Sequence, residues 1–115
     1  MTVREVLERV DELRPNAYSE EMKVAWLNEC EGMVQTEVLL LASEEIIVYS
    51  PEDDEKELIV RPPHDKLYVP YVCAMIDFAN GEYSKYQNTM QMFNAHFGEF
   101  MRWFATWYRP ADTHA

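Results

Sequence analysis

Three histidines, two cysteines and several closely spaced carboxylates are the residues of this chain whose types could do chemistry. Metal binding would need His64, His96 or His114 grouped with one another or with Cys30 and Cys73, but no such spacing occurs and no HExxH pattern is present. Paired carboxylates for acid–base work could be drawn as Glu29 with Glu37, or Asp77 with Glu82. Pairs like these are common on solvated helix faces. Asp77 stands apart because Ile76 and Phe78 flank it on an apolar stretch, which calls for a tyrosine hydroxyl or a backbone group as its partner. Nucleophile elbows, P-loops and dinucleotide fingerprints are absent, and Gly32, Gly81 and Gly98 are too scattered to cradle a phosphate. The residues therefore point to no reaction, no metal and no cofactor. The two cysteines read as small buried apolar groups of a reducing compartment.

The elements that hold these residues read as an all-α chain. Tyr83, Tyr86, Met90, Phe93, Phe97, Phe100, Phe104 and Trp107 alternate at spacings of three and four, and seven of the eight are aromatic. That period puts them on one stripe of a helix over 82–108. The flanking positions Gln87, Asn94, Met101, Tyr108, Thr89, His96 and Trp103 carry no charge for a two-stranded coiled coil. The stripe is expected to pack on helices of its own chain. Together with Trp26, Tyr71 and Phe78, its residues from Tyr83 to Phe104 form the expected core. Met101, Trp103, Trp107 and Tyr108 surround the far end with more apolar bulk than one core can cover. They are taken, with Tyr49 and Ile59, as an interface.

Three further helices are predicted. The first spans 3–13, opened by a Thr2–Glu5 capping box. The second spans 20–42, capped by Ser19, with Gly32 at its middle suggesting a close helix crossing. The third spans 66–79, with Asp65 as N-cap and Asn80-Gly81 after it. Between the second and third lie two β-like runs, Ile46-Ile47-Val48-Tyr49 and Leu58-Ile59-Val60, around an acidic stretch. They read as a small β-hairpin over 46–60 with a mobile acidic tip, or as an extended insertion. The whole is expected to be one helical domain over 1–115, four-helix bundle-like.

Charge is lopsided. Residues 1–65 carry 17 acidic and 6 basic side chains, and residues 66–115 carry 4 of each. Such a surface disfavours sequence-specific nucleic-acid binding and anionic membranes. No run of about 18 apolar residues is present to span a bilayer.

The stretch Pro63-His64-Asp65-Lys66-Leu67-Tyr68, Tyr71, Met75-Ile76-Asp77, Asn80-Gly81-Glu82-Tyr83, Tyr86-Gln87-Asn88 and Met92-Phe93-Asn94 carries a family resemblance. So does Tyr18-Ser19-Glu20 leading into Trp26-Leu27-Asn28-Glu29. Over about residues 15–105 the chain resembles head–tail connector, or head-completion adaptor, proteins of tailed phages and prophages of Gram-positive bacteria. The resemblance implies a mostly helical structural protein that docks as a ring under the portal after DNA packaging. Its partners would be the portal protein, other neck or tail-completion proteins and further copies of itself. It implies a place in the virion neck, and in the host cytoplasm during assembly. The segment 46–60 and the end of the last helix would be the contact elements, and the acidic half would suit a channel that lets DNA pass. The likeness departs at the C-terminus, where such adaptors carry an extended arm and this chain stops soon after Tyr108. A different reading is a small acidic regulatory or antitoxin-like protein that masks a basic partner.

Overall fold

The computed structural model describes residues 1–107; Tyr108 and the tail beyond it lie outside the described residues. Four α-helices dominate: α1 (Val3–Leu13), α2 (Glu20–Met33), α3 (Tyr68–Ala79) and α4 (Tyr83–Trp107). The fold is all-α. Helix α3, the most apolar, packs against each of the other three. Val6, Val10, Leu27, Val34, Leu67, Val72, Ile76 and Phe97 belong to the cluster between them.

Local chemistry sets the helix starts. Thr2 Oγ1 accepts from the Glu5 N–H at 3.1 Å, and the Glu5 carboxylate accepts from the Thr2 N–H at 2.9 Å, closing the capping box. Ser19 Oγ accepts from the Met22 N–H. Asp65 does not cap α3. It lies inside a 3₁₀ turn, Asp65–Leu67, that runs straight into Tyr68.

Helix α2 stops short of the expected position 42. It widens into a π turn at Val34–Val38, and Leu40 then takes φ of 57°. That left-handed geometry costs a leucine about 1–2 kcal/mol. It lets the Leu41 N–H reach the Gln35 carbonyl at 2.9 Å and turns the chain away from the helix axis. Gly32 marks no close crossing, because a Cβ there would meet nothing within 4 Å.

Among the described residues the β-like runs form no hairpin; the only bridge pairs Thr2 with Glu57. Residues 46–60 instead form an extended strap whose backbone is bonded by helices. In the π turn that continues α2, the amide of Gln35 accepts from the Ile47 N–H at 2.7 Å and donates to its carbonyl at 3.0 Å. Asn28 does the same for Tyr49, at 2.9 Å each way. Glu31, fully buried, accepts from the Ile59 N–H at 2.8 Å and from the hydroxyls of Tyr49 at 2.9 Å and Tyr68 at 2.6 Å. Tyr68 Oη in turn accepts from the Val60 N–H at 2.9 Å. Further along, Val3 and Arg4 at the start of α1 donate their N–H groups to the carbonyls of Lys56 and Asp54. A second strand is unnecessary when helix side chains and a helix end supply these partners. The acidic tip has partners of its own: Asp53 accepts from the Ser50 N–H, and Arg4 pairs with Glu55 and Asp54.

Two expected core residues are exposed. Phe78 is 50% exposed and Tyr83 58%. They meet at the α3–α4 turn, where no other helix covers them, and pack on each other with ring centroids 5.4 Å apart. Phe93, Phe97 and Phe100 are buried, as is Tyr71, whose ring stands edge-on to Phe93 at 5.0 Å. Met90, Tyr86, Phe104 and Trp26 are half-buried.

Replacing Glu31 by Gln tests the strap. An amide has one acceptor oxygen for three donors, and its NH2 group would face a donor already pointing inward. With each stranded buried donor worth about 1–3 kcal/mol, the variant should lose about 2–4 kcal/mol of unfolding free energy in urea titration. A second outcome follows from acid–base linkage. Burial, followed by the charge and bond of Glu31, pushes the Tyr68 and Tyr49 phenols well above their ordinary value. Burial also raises the Cys73 thiol to about 11 from 9.0. The folded chain then keeps protons that the unfolded chain releases, first near pH 9 from thiol and then near pH 10 from phenol. Stability contributed by these groups is whole below about pH 9 and is lost as pH climbs beyond it. Urea midpoints should hold from pH 7 to 8.5 and fall between about pH 9 and 11, with a shallower fall in Tyr68→Phe.

Candidate docking groove

Helix α4 has 25 residues, about 37 Å at 1.5 Å per residue, and outruns the elements packed on it. Its last two turns meet the end of the strap and the π turn. Between them lies a cavity of about 210 Å³. Leu39 and Ile59 form one side, and Phe100, Trp103 and Phe104 form the other. The strap's bonds to Glu31 and Tyr68 set the position of Ile59 and Val60, so the α2 network shapes this wall. Arg61 and Pro62 close one end, next to a cis bond between Pro62 and Pro63.

The aromatic side is stacked. His64 lies on the Trp103 indole, centroids 4.4 Å apart and planes 29° from parallel. Phe100 lies 6.1 Å from Trp103 and 6.0 Å from Phe104. The histidine thus supports the indole, a role that its loop position concealed. Trp107, one turn beyond Trp103, is 71% exposed.

The six residues taken from sequence as an interface do not share one surface. Trp103 and Ile59 line the groove, and Trp107 continues its aromatic side. Met101 is exposed but sits about 160° around the helix from Trp103 at 100° per residue. Tyr49 is buried, with its hydroxyl turned in to Glu31, and is a strap anchor rather than a surface group. Tyr108 lies outside the described residues. Leu39 was missed because it seemed to continue a helix; only the turn at Leu40 brings it to the groove.

The remaining chemical residues have structural partners. Fully buried Asp77 takes the Arg14 guanidinium on both oxygens, at 2.8 and 3.3 Å, and the Thr89 hydroxyl at 2.9 Å. Its partners are thus a cation and a threonine, not the tyrosine or backbone group expected. This knot ties the end of α1 to α3 and α4. Glu82 pairs with Lys85 rather than Asp77, and Glu29 accepts from the Tyr71 hydroxyl at 2.8 Å. Cys30 and Cys73 are buried and unbonded. Burial, with the Glu31 charge, raises the Cys30 thiol well above its ordinary value, which removes the thiolate needed for nucleophilic attack. Among the described residues, no group of three His, Cys, Asp or Glu side chains could hold a metal ion, and no helix is long and apolar enough to cross a membrane. No protein-family model, no curated protein and no solved structure matches the chain.

Proposed function

We propose that this protein is a structural adaptor of a tailed-phage neck, which docks on the portal ring by protein–protein contact and catalyses no reaction. The observation that carries the reading is at the far end of α4: an aromatic-walled groove at Trp103, with Trp107 one turn on and 71% exposed. A large aromatic left in solvent next to an apolar recess is what an interface anchor looks like before assembly. In this reading the four helices act as a bundle-like body, and the groove faces the portal or a neighbouring copy in a ring. The α1 surface, where Glu5, Glu8 and Glu12 outnumber Arg9 in one depression, turns toward the channel and repels DNA passing through it. The site of action is the virion neck, reached from the host cytoplasm during assembly. The residue resemblance given above supports the same assignment.

Portal rings from the same genome, incubated with the purified chain, test it by electron microscopy. A ring of added density is expected. Trp107→Ser should weaken binding about tenfold or more, as loss of an aromatic anchor does. Because the indole is exposed, the same substitution should leave the urea midpoint within about 0.5 kcal/mol of the parent. No added density with the parent chain, or equal binding by the variant, overturns the proposal.

A further inference from the structure

In a chain with 21 acidic and 10 basic residues, a cation has many acids to pair with. Arg4, Arg14, Lys23, Arg61 and Lys85 all make ion pairs. Arg9, Lys56, Lys66 and Arg102 make none among the described residues, and Arg9 and Lys66 both line one cavity of about 360 Å³ between α1, the turn before α3, and α4. The His96 imidazole reaches the same cavity from α4. Leu13 and Val69 give it an apolar wall.

Arg9 also borders a second depression, lined by Glu5, Glu8 and Glu12, but none of those three lines this cavity, and two of them have bonds of their own. Glu5, one turn before Arg9, caps the Thr2 N–H at 2.9 Å. Glu8 lies 3.9 Å from Arg4. Asp65, the one carboxylate in the cavity lining, accepts from the Met1 amino group at 3.3 Å. The lining of this cavity therefore holds two cations without an ion pair and no carboxylate without one, inside a protein whose net charge is −11.

We propose that this cavity is a binding site for a small organic carboxylate. The Arg9 guanidinium presents a planar fork suited to two carboxylate oxygens, and the Lys66 ammonium adds a second charge. His96 supplies a ring N–H, and Leu13 with Val69 cover a short hydrocarbon segment, which bare phosphate lacks. The size falls in the range of small-ligand sites. Because the overall field of the chain repels anions, binding here has to come from the cluster itself.

Titration of the 15N-labelled full chain with succinate at fixed ionic strength, followed by amide shifts, tests this. Saturable shifts confined to the surroundings of Arg9, Lys66 and His96 are expected. Arg9→Gln with Lys66→Gln should raise the midpoint at least tenfold, while Arg102→Gln, a cation far along α4, should leave it unchanged. Inorganic phosphate should bind more weakly than succinate. Linear shifts spread over the surface, equal midpoints in parent and double variant, an equal effect of Arg102→Gln, or phosphate binding as well as succinate would each overturn the site. Both replaced side chains are exposed, so the variants should keep the parent's amide pattern; if the double variant unfolds, Lys66→Gln alone gives the same comparison.

Discussion

A carboxylate can sit in a protein core only if donors converge on it. Glu31 meets that condition by drawing in the Tyr49 and Tyr68 hydroxyls and the Ile59 N–H, one group from each end of the strap and one from α3. The rest of the architecture follows from that convergence. With Asn28 three residues before it and Gln35 four residues after, Glu31 makes a polar line along α2 that reads the strap's backbone as a neighbouring strand would. The strap is thereby fixed against helices, and its outer end becomes a wall of the groove at α4.

A second knot, Arg14 with Asp77 and Thr89, sits at the opposite end of the helices. Between the two knots α3 is enclosed on three sides. Both ends of α4 carry exposed aromatics. At one end Phe78 and Tyr83 cover each other in solvent; at the other, Trp107 has no such cover from α3. Aromatic surplus at helix tips thus arises from a difference of length: 25 residues in α4 against 12 in α3.

Helix content was legible because it depends on local signals. The stripe from Tyr86 to Phe104, the Thr2–Glu5 box, Ser19 and the Asn80–Gly81 turn all act within a few residues of themselves, and the structure keeps each of them. The strap was half legible. Its β-like residues announced extended backbone, but their partners sit 12 to 28 residues away on a helix face, where a pattern of period two gives no sign of them. Nothing local marks Asn28, Glu31 and Gln35 as those partners. A polar line at helical spacing, facing an apolar β-like run, was the one available hint. The groove needed still more: Leu39 reaches it only through a left-handed residue that nothing in Leu40 itself betrays, and His64 only through a stack with Trp103.

During synthesis Glu31, Tyr49 and Ile59 leave the ribosome ahead of Tyr68. Until that tyrosine arrives, one carboxylate oxygen has water as its best partner, and sealing it away would strand a charge. The nascent chain therefore gains by staying open at this point, with the strap loosely laid on α2. Emergence of α3 delivers the missing hydroxyl together with the apolar surface that expels water, so the core closes late.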